Sequence, residues 1–96
     1  MDVVDLILEK RHKILSTCAK HGASNVRIFG SCARDDYTDL SDIDILVDFK
    51  GDYDLGTICA LQDDLELLLK RKVDIATDSM LKPRVRKAVL AEAIKI

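Results

Sequence analysis

The sequence predicts a small mixed β-sheet with helices packed on one face, an α/β (α+β) fold. Three observations lead to this prediction. Apolar residues recur at helical spacing in separate segments, short strand-like runs alternate with those segments, and no repeat, linker or low-complexity stretch divides the chain. The predicted order is α-β-(α)-β-α-β-α, and such alternation is typical of a sheet layered against helices. Residues 1–96 are therefore expected to form a single domain.

Three helices are predicted from apolar stripes and end signals, over residues 2–20, 55–70 and 83 to about 91. Gly22 is a plausible stop for the first helix, and Pro83 suits the first turn of the last. The stripe of the first helix contains Val3, Ile7, Ile14 and Cys18, and that of the second contains Leu55, Ile58, Leu61, Leu65 and Leu68.

Three strands are predicted, over residues 25–29, 42–49 and 72–76. The second strand alternates strictly, so that Ile43, Ile45 and Val47 share one face while Asp42 and Asp44 share the other. Between the first two strands, residues 31–36 are expected to form a short helical segment and residues 36–41 a polar loop. If helices cover only one face of the sheet, the face that carries the aspartates is free to hold a site.

The charge balance argues against a dedicated nucleic-acid binder. Fifteen Lys and Arg residues face seventeen Asp and Glu residues, and the formal net charge is −2. Proteins that bind DNA or RNA usually carry a basic excess, because contacts with phosphates dominate their affinity. No direct nucleic-acid binding is expected. A chain of 96 residues buries only a limited core, so a homo-oligomer or a lasting protein partner would make physical sense.

The cysteines and the N-terminus favour a cytoplasmic protein. Cys18, Cys32 and Cys59 are odd in number, widely spaced and without a metal-binding or redox pattern, which is typical of free thiols in a reducing compartment. The first residues lack the basic start and apolar core of a signal peptide, and no apolar run is long enough to cross a bilayer. No membrane association is expected.

The aspartates predict a metal site. Asp42 and Asp44 lie two residues apart on a strand, so both carboxylates project from the same face. Two carboxylates held together repel each other unless a cation lies between them, and hard oxygen ligands suit Mg²⁺. Asp74 lies in the next strand and can complete a triad if the two strands are neighbours.

Gly30 and Ser31 predict a phosphate site. They lie where a strand ends and a helical turn is expected to begin, and backbone N–H groups at such a turn favour anions. Glycine lets a phosphate approach the backbone closely, and the Ser31 hydroxyl can add a hydrogen bond. A phosphate site next to a metal site is the arrangement that phosphoryl or nucleotidyl transfer requires.

These residues resemble the DNA polymerase β-like nucleotidyltransferase superfamily. The resemblance rests on Gly30-Ser31, Ala33-Arg34, the Asp42-x-Asp44 pair and the later Asp74, and it runs over nearly the whole chain. More narrowly, the chain resembles the minimal nucleotidyltransferases, which are often antitoxin partners of HEPN-domain toxins. One departure is Asp35, which stands where relatives commonly have glycine.

The resemblance implies a mechanism and a partner. Asp42, Asp44 and Asp74 would bind two Mg²⁺ ions, and Gly30, Ser31 and Arg34 would bind the nucleotide. ATP would donate AMP to a hydroxyl of a HEPN toxin, a tyrosine in this family, as in a type VII-like toxin–antitoxin pair. The nucleotide preferred, the modified residue, the number of AMP units and the oligomeric state are not determined by the sequence.

Alternatives remain open at several positions. Arg34 could contact a phosphate or pair with a neighbouring aspartate, and Asp48 is interpreted as a solvated residue rather than a catalytic one. The basic cluster of Lys82, Arg84, Arg86 and Lys87 is read as a solvated face rather than a triphosphate contact.

Two other functions also fit the sequence. One is a non-catalytic antitoxin that neutralises its partner by binding. The other is a nucleotidyltransferase for RNA or a small molecule, working with a separate acceptor-binding subunit.

Overall fold

The computed structural model describes residues 3–30 and 42–96. In these ranges the helices are α1 (Val3–Glu9), α2 (Arg11–Lys20), α3 (Leu55–Leu69) and α4 (Pro83–Glu92), with a 3-10 turn at Asp78–Met80. The strands are β1 (Ala23–Phe29), β2 (Ile43–Phe49), β3 (Val73–Ala76) and β4 (Ile94–Lys95). The short helix predicted over residues 31–36 and the polar loop over 36–41 lie outside the described residues.

The strands form one mixed sheet in the order β3-β2-β1-β4. Strands β2 and β3 are parallel, whereas β1 is antiparallel to both β2 and β4. Parallel neighbours need a crossover connection, and α3 supplies it between β2 and β3. The predicted fold class, a small mixed sheet with packed helices, is confirmed.

The core lies between one face of this sheet and helices α1, α2 and α3. The helices contribute Val3, Ile7, Ile14, Cys18, Ile58, Leu61, Leu65 and Leu69 to it, and the strands contribute Val26, Ile28, Ile43, Ile45, Val47, Val73 and Ile75. The predicted stripe of the first helix is therefore confirmed. In α3, Leu55 was wrongly assigned to the core: it is the first residue of the helix and is 73% exposed. The predicted Leu68 is partly buried against the core, and Leu69, four residues after Leu65, is fully buried.

The single helix predicted over residues 2–20 is divided at Lys10. The backbone of Lys10 departs from helical geometry, with φ −97° and ψ 13°. The hydrogen-bond ladder nevertheless continues across the junction, because the Lys10 N–H donates to the Leu6 carbonyl and the Ile14 N–H donates to the Lys10 carbonyl, at 3.0 and 2.9 Å. Both helices consequently present their apolar residues to the same core.

Strand β4 was not predicted from the sequence. It contains only Ile94 and Lys95, which pair with Ile28 and Arg27 of β1. Two residues are too few to show a strand period, so this pairing depends on tertiary contact. Leu46 and Val89 are also buried, although neither belongs to the main core. Leu46 alternates with core residues of β2, so the face opposite the main core is covered near its centre.

Two further expectations concern the membrane and the cysteines. Over residues 3–30 and 42–96, no helix has the length and apolar character needed to cross a bilayer. Cys18 and Cys59 are free thiols, as predicted, and Cys18 is fully buried. Cys32 lies outside the described residues.

Candidate active site

Asp44 and Asp74 lie opposite each other on neighbouring strands. Each stands between two core residues, Asp44 between Ile43 and Ile45 and Asp74 between Val73 and Ile75, so both side chains project from the other face of the sheet. The register of β2 and β3 pairs Asp44 directly with Asp74. Because adjacent strands lie about 4.8 Å apart, the two carboxylates are neighbours on that face.

Asp42 lies immediately before β2 and is half-buried. The N–H of the next residue, Ile43, donates to the Lys72 carbonyl at 2.9 Å, which fixes the start of β2 beside the start of β3. Asp42 is therefore located at the same end of the parallel pair as Asp44 and Asp74. The structure thus brings the three aspartates predicted from the sequence to one end of the parallel pair, with Asp44 and Asp74 on the same face.

Gly30 lies against Asp44. It follows Phe29, which pairs with Asp44 in the antiparallel register of β1 and β2, and its φ is +73°. A Cβ atom placed on Gly30 would overlap the Oδ2 atom of the Asp44 carboxylate. Both the backbone conformation and the lack of space require glycine here. Ser31 and Arg34, the other residues predicted to bind nucleotide, lie outside the described residues.

The donor set suits a hard divalent cation. Asp42, Asp44 and Asp74 offer carboxylate oxygens, the ligand type that Mg²⁺ prefers. Within the part of the chain that the structure describes, however, no three His, Cys, Asp or Glu side chains converge closely enough to share a metal ion. Asp44 and Asp74 share a face and Asp42 lies at the same end of the sheet, and their side chains would have to turn toward one another to bind an ion together.

Asp48, on the same face but further along β2, is held by two side chains of β1. It accepts hydrogen bonds from Asn25 Nδ2 at 2.9 Å and from Arg27 Nη2 at 3.1 Å. Its side chain is 49% exposed, whereas that of Arg27 is 14% exposed. Asp48 thus anchors Arg27 at the sheet surface, and the interpretation of Asp48 as a residue without a catalytic role is consistent with these contacts.

A second ion pair lies beyond the carboxyl end of β3. Arg86 of α4 donates from Nε and Nη2 to the two oxygens of Asp78, at 2.6 and 3.0 Å. The hydrogen bond from Arg86 and the positive charges of Arg86 and Arg27 lower the pKa of Asp78. Arg86 is therefore committed to an ion pair, while Lys82, Arg84 and Lys87 of the same basic cluster are exposed, as expected for a solvated face.

An open cavity of about 540 Å³ adjoins this ion pair. Among the described residues it is lined by Asp78, Ser79, Leu81, Pro83 and Arg86, and not by Asp44 or Asp74. The sequence did not predict the ion pairs of Arg27 with Asp48 and of Arg86 with Asp78. The position of Arg27 between the apolar Val26 and Ile28 was the one available signal, because alternation places it on the face that carries the aspartates.

Hydroxyl groups are linked near the same end of β3. Thr77 Oγ1 lies 3.2 Å from the Tyr53 hydroxyl and 3.1 Å from Ser79 Oγ. Hydrogen bonds of the Tyr53 hydroxyl with Thr77 and with Ser79 lower the pKa of Tyr53. The Tyr53 ring stacks on Phe49 with 4.4 Å between the ring centroids. The network joins the turn after β2 to the turn after β3.

Comparisons of this chain with family models and with known proteins agree on one family. The nucleotidyltransferase domain family matches residues 9–96. A protein adenylyltransferase of Thermococcus cleftensis, MntA, is 35% identical over 96 residues, which cover 95% of this chain and 97% of the relative. A Methanocaldococcus jannaschii protein named for an inferred protein adenylyltransferase activity is 37% identical over 90 residues, covering 94% of this chain and 97% of the relative.

The solved structures agree. One described as a minimal nucleotidyltransferase superposes with a TM-score of 0.88 at 43% identity, covering 100% of this chain and 97% of that one. A toxin–antitoxin structure with AMP-PNP shares the fold with a TM-score of 0.76 at 21% identity, covering 88% of this chain and 69% of that one. The matched domain, the relatives and the shared architecture lead to one conclusion. This chain belongs to the nucleotidyltransferase family, among the minimal nucleotidyltransferases.

Proposed function

We propose that this protein transfers AMP from ATP, with Mg²⁺, to a tyrosine hydroxyl of a HEPN-domain toxin and thereby acts as its antitoxin. The observation that carries the chemical part of the proposal is the direct pairing of Asp44 with Asp74 in the sheet, with Gly30 packed against the Asp44 carboxylate. Carboxylates at the end of two parallel strands, next to the end of β1, suit nucleotidyl transfer by metal-assisted chemistry.

The partner is proposed from the relatives. The relative from Thermococcus cleftensis is a protein adenylyltransferase, and similar solved structures include MntA–HepT toxin–antitoxin complexes. The HEPN domain and the tyrosine acceptor come from the family resemblance of the sequence. A site at the end of the sheet, where Asp74 is exposed, supports a protein acceptor, because a folded partner can bring its hydroxyl to that end.

In the proposed reaction the acceptor hydroxyl attacks the α-phosphate of ATP. A new bond forms between the tyrosine oxygen and the α-phosphorus, and the bond from that phosphorus to the β-phosphate oxygen breaks, releasing pyrophosphate. Asp74 accepts the proton of the attacking hydroxyl. Gly30 and Ser31 hold the departing phosphates through backbone and hydroxyl hydrogen bonds, and Arg34 contributes positive charge to them.

Asp42, Asp44 and Asp74 would hold the metal ions. Bound Mg²⁺ supplies positive charge that offsets the charge of the triphosphate and of the leaving pyrophosphate. Asp74 is exposed, and Asp42 and Asp44 are half-buried.

The test is intact-protein mass spectrometry of the chain with the protein encoded beside it, after incubation with ATP and Mg²⁺. We expect the partner to gain the mass of one or more AMP units, and tandem spectra to locate them on a tyrosine. The variant with Asp42→Asn and Asp44→Asn should produce no gain. The surface variant Asp52→Asn, whose side chain is exposed and outside the site, should behave as wild type.

The other outcomes are distinct. A stable complex with no mass change in the wild type would contradict transfer and favour neutralisation by binding alone. Label from ATP found on RNA or a small molecule, and not on protein, would overturn the proposed acceptor while leaving the chemistry intact. Full activity of the double Asn variant would overturn the assignment of Asp42 and Asp44.

A further inference from the structure

The strand that carries Asp74 is an edge strand, and α3 holds its outer side. In the order β3-β2-β1-β4, one side of β3 pairs with β2 and the other has no neighbouring strand in the described sheet. On that outer side the Val73 N–H donates to Glu66 Oε2 at 2.9 Å, and the Ile75 N–H donates to Gln62 Oε1 at 3.0 Å. Two side chains of α3 therefore take the place of a missing strand.

The two contacts bracket Asp74. In a parallel ladder alternate residues turn their backbone groups to the same side. Asp74 pairs with Asp44 on the inner side, so the N–H groups of Val73 and Ile75 point outward to α3. The backbone on either side of Asp74 is consequently held by α3, while the backbone of Asp74 itself is aligned with β2.

The dimensions of a helix and a strand explain how Gln62 and Glu66 can accept hydrogen bonds from both of these N–H groups. Gln62 and Glu66 are four residues apart, so they lie on the same side of α3 with a rise of about 6 Å between them. Val73 and Ile75 are two residues apart on a strand, a distance of about 6.6 Å. Because α3 runs antiparallel to β3, Glu66 meets the first N–H and Gln62 the second. Both side chains are half-buried next to the core residues Leu61 and Leu65.

We propose that Gln62 and Glu66 are positioning residues, which hold β3 so that Asp74 stays opposite Asp44 for metal binding and transfer. This inference rests on the proposed role of Asp74 as the third carboxylate of the site. Residues that orient ligands from outside a metal site commonly change affinity or activity when removed, even though they contact neither metal nor substrate.

The variants distinguish the loss of a hydrogen-bond acceptor for β3 from a general structural defect of the helix. Gln62→Leu and Glu66→Leu remove the oxygen that accepts the N–H while keeping a side chain of similar size. Gln62→Glu and Glu66→Gln keep an acceptor oxygen and should retain wild-type behaviour. Asp63→Asn changes an exposed side chain of the same helix and is the matched surface control.

The first measurement does not require turnover. Amide hydrogen exchange at Val73 and Ile75 should become faster in the corresponding Leu variants. Calorimetric titration with Mn²⁺, in the presence of an ATP analogue that cannot be cleaved between the α- and β-phosphates, should show about 10-fold weaker metal binding in the Leu variants. Unchanged Mn²⁺ affinity in Leu variants that melt like wild type would overturn the proposal.

The second measurement asks whether the effect passes through Asp74. In an Asp74→Ala background, adding Glu66→Leu or Gln62→Leu should cause no further loss of Mn²⁺ affinity, because the residue that they position is already absent. An equal loss in both backgrounds would show a general structural role and contradict the proposal. If Asp74→Ala by itself leaves Mn²⁺ affinity unchanged, the assignment of Asp74 fails, and the positioning role fails with it.

These binding results are independent of the acceptor. If the wild type binds Mn²⁺ and the analogue but labels no partner protein, the proposed acceptor is wrong and the positioning role is still tested. If the Leu variants bind metal normally while the wild type labels the partner, the transfer function stands and the positioning role is overturned.

Discussion

At the scale of single residues, Gly30 is the position where sequence and site depend on each other most directly. Its φ of +73° is one that side-chain-bearing residues rarely adopt, and the space that a Cβ would need is taken by the Asp44 carboxylate. Gly30 therefore follows the last residue of β1 and leaves space for the Asp44 carboxylate. A larger residue would displace a carboxylate that we propose to bind metal.

We expect Gly30→Ala to lower the transfer rate by about 100-fold, because small displacements of reacting groups have effects of that size. It should also destabilise the fold by about 1–2 kcal/mol, the cost of left-handed backbone for a residue with a Cβ. Transfer assays and thermal unfolding measure the two effects separately.

Gly51→Ala is the matched control. Gly51 has a similar φ of +78°, but a Cβ there would meet nothing within 4 Å. It should share the loss of stability and keep wild-type activity. Equal activity losses in the two variants would show that backbone strain, and not the contact with Asp44, causes the defect.

At the scale of elements, α3 performs two tasks. Its apolar row packs in the core, and its Gln62 and Glu66 side chains support β3. The start of this helix is defined by a capping box: Asp54 accepts from the Thr57 N–H at 2.9 Å, and Thr57 Oγ1 accepts from the Asp54 N–H at 3.4 Å. Hydrogen bonds from the backbone and hydroxyl of Thr57 lower the pKa of Asp54.

Asp54→Ala should lower the melting temperature at neutral pH, because it leaves helix N–H groups of α3 without their side-chain acceptor. The folded-state pKa of Asp54 lies below the ordinary value of 3.8, so its stabilising effect is present above that value and is lost as the pH falls through the folded pKa. The difference in melting temperature between wild type and variant should therefore shrink in acid.

Thermal scans from pH 7 down to pH 2–3 check this dependence, roughly spanning the range in which an aspartate titrates. Asp52→Ala, two residues earlier and also exposed, supplies the control without a cap. A melting difference for Asp54→Ala that is constant across the range would show that the charge of the cap contributes nothing.

At the scale of the whole molecule, the proposed site lowers the stability of the ligand-free protein. The register places two carboxylates directly opposite each other at one end of the sheet, and like charges in such pairs destabilise a sheet. A domain of 96 residues has little stability in reserve. In the proposed function, bound cations and nucleotide offset this repulsion.

Asp74→Asn should therefore stabilise the ligand-free protein by about 0.2–1 kcal/mol, the usual range for cross-strand charge pairs. It should also reduce transfer by at least about 100-fold, because a general base is lost. Chemical denaturation without divalent ions measures the first effect. Added Mg²⁺ with ATP should raise the melting temperature of the wild type more than that of the variant.

Asp63→Asn provides the control for removal of one negative charge from the surface. A variant Asp74→Asn that is less stable than wild type in the absence of ions would contradict the repulsion between the paired carboxylates. Equal stabilisation of both proteins by Mg²⁺ and ATP would separate Asp74 from ligand binding.

The sequence by itself determined the local features of this protein. Alternation in β2 assigned Ile43 and Ile45 to the core and Asp44 to the opposite face, because successive side chains of a strand point to opposite sides. Helical spacing likewise identified the buried residues of α1 and α2. The Gly-Ser and Asp-x-Asp pattern led to the nucleotidyltransferase family, which the comparisons confirm.

Only the tertiary structure decided which distant residues meet. The pairing of Asp44 with Asp74, the contact of Gly30 with Asp44, the two-residue strand β4 and the support of β3 by Gln62 and Glu66 all join segments separated along the chain. A strand or helix period reports which face a side chain occupies. It does not report the neighbour across that face, because register is set by the packing of whole elements.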